Sequence, residues 1–207
     1  MALISDLKFQ KNKKRVNVFL DGAYYCALQY ETLVKHGLKV GDEIEKSDLE
    51  NLQYQSEINR AKEVALGLIE KKMYTAQELK KKLKEKGFLP IVFDEVCESL
   101  SGYGYVDDRL FAKSYCIDNR RRSKKDLMFK LKNKGVSDDD IREQLDEINP
   151  ETERENCRFW AQKFLKSSAH KPNLKQKLLA HLSSKGFGFD IIRPVAEELL
   201  GTLDEYD

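Results

Sequence analysis

Three groups of residues in this sequence have the types and spacing to do chemistry. Asp107 and Asp108 are adjacent carboxylates, the raw material of general acid–base work. Arg120, Arg121, Arg122, Lys124 and Lys125 are cations gathered into one short run. Arginine's planar fork can hold a phosphate or carboxylate bidentately, and lysine adds a point charge. Gly102 and Gly104 frame Tyr103 and Tyr105, a superficial likeness to a phosphate loop.

Context removes the first and third. No partner base, ligand cluster or substrate loop accompanies the two aspartates. An aspartate just ahead of Leu110 and Phe111 is accounted for by capping a helix N-terminus. The glycines lack the G-x-x-x-x-G-K-[ST] pattern of a nucleotide loop and read as a linking turn. His36, His170 and His181 show no metal or triad spacing, and Cys26, Cys97, Cys116 and Cys157 contain no C-x-x-C pair. The cysteines read as reduced core residues. Neither an enzyme nor a cofactor or metal site is expected.

The cations recur. Lys80, Lys81, Lys82 and Lys84 form a second cluster, and Lys171, Lys175 and Lys177 a third. Cations near a helix C-terminus gain about 0.3–1 kcal/mol each from the dipole. Three consecutive arginines would project in three directions from a helix, so capping does not explain them all. The candidate binding residues are therefore Arg120, Arg121, Arg122, Lys124, Lys125, Lys80, Lys81, Lys84, Lys171 and Lys175, facing phosphates or the acidic residues of a partner.

The elements that would position them come from a phrase used three times. It reads Leu79, Leu83, Lys86-Gly87; Leu127, Leu131, Lys134-Gly135; and Leu178, Leu182, Lys185-Gly186. An apolar residue follows each glycine (Phe88, Val136, Phe187). Three more apolar positions come after it: Phe93, Cys97 and Leu100; Ile141, Leu145 and Ile148; Ile192, Ala196 and Leu199. A fixed period of this length marks one supersecondary unit copied in tandem. Such arrays present long surfaces rather than one pocket, which favours binding over catalysis.

Each copy reads as three helices. An apolar stripe through Ile58, Ala61, Ala65, Leu68 and Ile69 marks the first helix of the first copy, with Ser47…Glu50 as a capping pair upstream. Thr75…Glu78, Ser123…Asp126 and Asn173…Gln176 cap the middle helices, and the three glycines end them. Asp107 or Asp108 caps the first helix of the second copy, Ser137 its third, and Pro90 starts the third helix of the first copy. Trp160 and Phe164 are expected to be core residues. The joints are placed at Asn149-Pro150 and Ser167–Pro172.

Residues 1–56 differ. Val16, Val18 and Leu20 alternate as in a half-buried strand, Asp21-Gly22 makes a two-residue hairpin turn, and Ala23–Leu28 returns. Ile4–Gln10 can pair alongside, and a short helix over Gln29–His36 ends at Gly37. The expected fold is mainly α: three tandem three-helix repeats in an elongated array, preceded by a small N-terminal β-hairpin or meander region. The boundaries are 1–56 for the β-rich region, then 57–105, 106–149 and 150–207 for the repeats.

Net charge is only +2, yet 35% of the 207 residues are charged. The charge alternates with the repeat: residues 71–86, 120–134 and 171–185 carry +5, +7 and +4, whereas 87–108, 135–155 and 186–207 carry −5, −7 and −5. Two readings stay open: solubility with helix-to-helix pairing inside each copy, or a basic stripe facing a polyanion or an acidic protein surface. No stretch approaches the roughly 18 apolar residues of a spanning helix, and the N-terminus lacks a signal-peptide pattern. A cytoplasmic monomer that does not engage membranes is expected.

Gly104-Tyr105-Val106-Asp107-Asp108-Arg109-Leu110-Phe111-Ala112 resembles the signature of the RecX family, regulatory proteins that bind the bacterial recombinase RecA. Arg120–Lys125, the following Leu127-x-x-x-Leu131-x-x-Lys134-Gly135-Val136, and Tyr74–Phe88 before it fit the same family's pattern. The resemblance covers about residues 57–200, and the β region resembles an extension found in some members. It implies three tandem three-helix modules and no enzymatic activity. It also implies binding in a groove of the RecA–single-stranded DNA filament, suppressing ATP turnover, strand exchange and coprotease activity. The third copy departs from the pattern: it has no D-D-x-x-F-A equivalent, and its middle helix is less basic. The competing reading is a sequence-independent DNA-binding protein of helix-turn-helix-like modules, with weak, salt-sensitive affinity. Against it, the third helix of each copy, which would ordinarily supply recognition, is acidic.

Overall fold

A computed structural model describes residues 1–11, 13–168 and 173–204. The chain divides into two compact units, Met1–Val106 and Asp107–Asp207.

In the first unit, β1 (Ala2–Phe9), β2 (Arg15–Leu20), β3 (Ala23–Gln29) and β4 (Glu43–Ile44) make an antiparallel sheet in the order β3-β2-β1-β4. The β2–β3 turn is as expected. Leu20 pairs with Ala23, and Asp21 and Gly22 both take positive φ (48° and 83°), the turn geometry whose twist suits a hairpin. Val16, Val18 and Leu20 are buried while their neighbours on β2 are only partly covered. Ile4, Val18, Leu20, Cys26 and Leu28 pack on Leu49. The short helix α1 (Tyr30–Lys35) follows β3, and Gly37 closes it at φ 65°.

Leu49 belongs to α2 (Lys46–Ile69), a single helix that passes through residues 56 and 57 without a break. Ser47 is not its cap, contrary to expectation. The chain leaves β4 extended at Glu45, and helix begins at once, with the Asp48 and Leu49 N–H groups bonding to the Glu45 carbonyl. Burying Leu49 in the sheet core draws this first turn inward. Farther along, Ser56 Oγ accepts from the Gln29 N–H at 2.6 Å, and Glu57 pairs with Arg15 at 2.8 Å, tying α2 to the strands.

The remaining helices fall into threes. With α2 go α3 (Ala76–Glu85) and α4 (Phe93–Gly102); Pro90–Val92 is a separate 3-10 turn, so Pro90 does not itself open α4. The second unit holds α5 (Asp108–Asp118), α6 (Lys124–Asn133) and α7 (Asp138–Asp146). It then continues with α8 (Pro150–Ser168), α9 (Leu174–Ser184) and α10 (Phe189–Asp204).

The repeated phrase is the repeated core. Leu79, Leu83, Phe88, Phe93, Cys97 and Leu100 are buried together, as are Leu127, Leu131, Val136, Ile141 and Leu145, and Leu178, Leu182, Phe187, Ile192 and Ala196. Each middle helix ends identically. The glycine takes φ of 84°, 84° or 87°, and the next N–H bonds back to the second leucine's carbonyl (Phe88 to Leu83 3.2 Å, Val136 to Leu131 3.2 Å, Phe187 to Leu182 3.3 Å). This six-to-one bond satisfies an otherwise orphaned carbonyl and folds the apolar residue after glycine onto the core.

Beyond Ser47, the N-caps follow expectation except at the last middle helix. Thr75 and Glu78 form a reciprocal capping box, and Asp107, Ser123 and Ser137 accept from the N–H groups of Leu110, Asp126 and Asp140. Asn173 instead sits left-handed at φ 59° and makes no side-chain cap bond.

Candidate partner-binding site

In the first unit the predicted cations lie on α3. Lys80 pairs with Asp94 of α4, whose hydrogen bond holds the ammonium above its ordinary pKa, and Lys82 pairs with Glu85 at 2.6 Å. Lys81 and Lys84 are exposed, and among the described residues neither has an ion-pair partner. The charge alternation in this repeat therefore serves two ends, with part of the basic cluster neutralised by the acidic helix beside it.

In the second unit the three arginines do not occupy a helix. Helix α5 stops at Asp118, and Asn119–Ser123 turns the chain into α6. The turn is held by α8. Asn156 Nδ2 donates to the Arg120 carbonyl at 2.7 Å, and Trp160 Nε1 donates to the Arg121 carbonyl at 2.8 Å. Turn carbonyls facing protein need donors of this kind, because leaving them unpaired is costly. The Lys124 N–H bonds to Glu153 Oε1 at 3.1 Å, adding a third tie to α8.

The side chains divide by role. Arg122 reaches Asn119 Oδ1 at 2.8 Å and Asp126 Oδ2 at 2.6 Å, so it clamps its own turn. The Arg121 guanidinium lies 3.9 Å from the Phe159 ring centroid, and Lys185 Nζ lies 4.4 Å from that of Trp160. Cation–π contacts of this sort contribute about 0.5–1 kcal/mol at exposed sites. They fix a cation in place without cancelling its charge. Arg120 is exposed, and among the described residues no carboxylate pairs with Arg120, Arg121 or Lys185.

Asp118, the Asn119–Ser123 turn and Asp126 line a cleft of about 380 Å³ walled by Trp160 and Lys185. Burial, and then the nearby Lys185 charge, holds the His181 imidazole below its ordinary pKa; the ring stacks on Phe164 at 4.8 Å. The cleft suits an anionic group.

Of the other predicted residues, Lys124 and Lys125 stand at the start of α6, with Lys125 exposed. Lys175 is exposed in the first turn of α9, roughly 15 Å along that helix from Lys185 at 1.5 Å per residue, so it does not join the cleft. Lys171 lies outside the described residues, as do His170 and the joint around Pro172. Asp107 is occupied as an N-cap. Trp160 departs from its expected core role: it is only partly buried, packing on the third repeat's core while facing the cleft. Lys185, Asn156, Phe159 and Trp160 were not identifiable as site residues from sequence. The one available signal was Asn156, a polar residue inside the apolar face of α8 that turns out 9% exposed.

An N-terminal antiparallel sheet and three-helix repeats, one of them bordering a cation-lined cleft, define a tandem-repeat, mainly helical protein. The regulatory protein RecX N-terminal domain matches residues 2–45, the first RecX three-helix domain residues 61–100, and the third RecX three-helix domain residues 151–195. The regulatory protein RecX of Clostridium botulinum strain Alaska E43 is 34% identical over 206 residues, covering 97% of both chains. That of Bacillus subtilis strain 168 is 32% identical over 211 residues, covering 99% of this chain and 80% of the relative. A crystal structure of regulatory protein RecX superposes with a TM-score of 0.70 at 25% identity, covering 95% of this chain and all of the other. The chain belongs to the RecX family of regulatory proteins.

Proposed function

We propose that this protein is a negative regulator of the RecA recombinase. It binds in a groove of the RecA–single-stranded DNA filament and suppresses ATP turnover, strand exchange and coprotease activity, acting as a cytoplasmic monomer without enzymatic chemistry of its own. Family membership supports the partner, and the three uncompensated cations Arg120, Arg121 and Lys185 in one cleft carry the binding role. The repeats 57–105, 106–149 and 150–207 are the working modules, following the N-terminal region 1–56. Lys81, Lys84, Lys124, Lys125, Lys175 and Lys171 add electrostatic attraction along the basic segments, and Lys80 does so despite its pairing with Asp94.

The deciding experiment measures ATP turnover by RecA on single-stranded DNA while this protein is titrated in, beside its binding to bare DNA at the same salt. Inhibition well below the concentration that coats bare DNA is the expected result. Inhibition only where bare DNA is also bound means competition for DNA, and the sequence-independent DNA-binding reading replaces this one. The acidic residues of the third helices, Asp94 and Glu95 on α4 and Asp138–Asp140 on α7, disfavour that alternative, because they would face a phosphate-lined groove.

A further inference from the structure

We propose that the cleft between the Asn119–Ser123 turn and α8 takes carboxylates of an acidic protein segment, not the phosphates of a nucleic acid. The proposal rests on the regulatory reading above and specifies the chemistry of its contact.

The cations come first. Arg121 is set 3.9 Å from the Phe159 ring centroid and Lys185 4.4 Å from that of Trp160. Each of the two rings thus already carries a cation, and Lys163 Nζ lies 5.0 Å from the same indole. Single-strand binders use open aromatic faces on which bases stack. Here a cation already sits against each ring, and the indole N–H is engaged by the Arg121 carbonyl at 2.8 Å. What the cleft offers a ligand is positive charge held at fixed points, beside rings that a base would have to share with those cations.

The surroundings decide between the two anions. Asp118 and Asp126 line the same cleft, Asp126 neutralising Arg122, and Glu153 sits at the adjacent N-terminus of α6. The positive patch is therefore small and edged by carboxylates. A nucleic acid backbone carries a charge at every step and would run past this edge into repulsion. A short peptide can place one or two carboxylates on Arg120, Arg121 and Lys185 and be neutral on either side.

Trp160 is the sole tryptophan in the sequence, so its fluorescence reports this cleft directly. The full-length protein would be titrated with a short synthetic peptide carrying two glutamates between neutral residues, its Gln-substituted counterpart, and an oligo-dT of matched net charge, with R121Q and K185Q as variants. The expected result is an emission change with the two-glutamate peptide alone, weakened at least about tenfold in either variant, since each removes one charge-assisted contact. Unaltered circular dichroism would show that both variants fold. An emission change with oligo-dT that displaces the peptide would overturn the proposal in favour of nucleic-acid phosphate. Silence with every probe, in a protein that still inhibits RecA ATP turnover, would overturn it while leaving the regulatory reading in place. Peptide binding without any effect on RecA would sustain the cleft's chemistry and remove the assigned partner.

Discussion

The Ser123 hydroxyl donates to the Lys185 carbonyl at 2.8 Å while accepting from the Asp126 N–H at 3.1 Å. One fully buried side chain thus caps the start of α6 and fastens the end of α9, joining two repeats at the edge of the cleft. The adjoining Gly186 leaves no room for a side chain: a Cβ there would stand 2.6 Å from Ser123 Oγ.

Gly186→Ala should therefore cost more than Gly87→Ala. Both place alanine at positive φ (87° and 84°), a penalty of about 1–2 kcal/mol, but a Cβ at Gly87 meets nothing within 4 Å. Urea midpoints of the two variants check this. Combining Gly186→Ala with Ser123→Ala removes the crowding oxygen, so the double variant should be more stable than the sum of the two losses. Strict additivity would show that the close approach carries no energy.

The three arginines should separate by readout. Arg122→Ala should lower stability by about 0.2–1 kcal/mol, the range for a solvent-accessible pair, through loss of its bonds to Asn119 and Asp126. Arg120→Ala should leave the unfolding midpoint almost unchanged and weaken filament binding. A titration at moderate salt in which Arg120→Ala binds normally would remove Arg120 from the site.

Core leucines at matching points of the phrase should behave alike. Leu83→Ala, Leu131→Ala and Leu182→Ala each empty a fully buried position at the end of a middle helix, and about 2–5 kcal/mol is expected for each. Hydrogen exchange would localise the loss: Leu83→Ala should loosen the amides of α2–α4, and Leu182→Ala those of α8–α10. An effect spread evenly over the chain would contradict separate repeat cores.

Burial pushes the Cys26 thiol up to about 11, slightly offset by Arg15. Burial, with Glu153 adding, pushes the Cys157 thiol up to about 12. Unfolded thiols ionise near pH 8.5, so between there and the folded values the unfolded chain has released protons that the folded chain retains. Stability is full below that range and falls as pH rises through it. Cys157→Ala should flatten the decline measured by denaturant midpoints between pH 8 and pH 10. At neutral pH a thiol reagent should label partly buried Cys116 before Cys26, Cys97 or Cys157; the reverse order would contradict the packing.

What the sequence determined by itself was everything local or periodic. Leucine spacing named the core of each repeat because residues three to four apart share a helix face. Glycine marked helix ends because it tolerates positive φ, and Asp21-Gly22 marked the hairpin for the same reason. Thr75, Ser123 and Ser137 announced their caps because the cap bond spans only three residues. Two local signals misled. Ser47 lost its role because burial of Leu49 starts α2 earlier, and Asn173 lost its role to a left-handed turn.

The tertiary structure alone decided which cations are available. Asp94 lies fourteen residues from Lys80, Trp160 thirty-nine from Arg121, and Lys185 sixty-two from Ser123. No periodic pattern encodes such pairings, since they depend on which helices pack side by side. Packing of α3 on α4 neutralises Lys80, and Arg122 is neutralised locally by Asp126 four residues on. Packing of α8 and the end of α9 on the Asn119–Ser123 turn fixes Arg121 and Lys185 and leaves them charged beside Arg120. It also converts Trp160 from an expected core residue into the wall of the cleft.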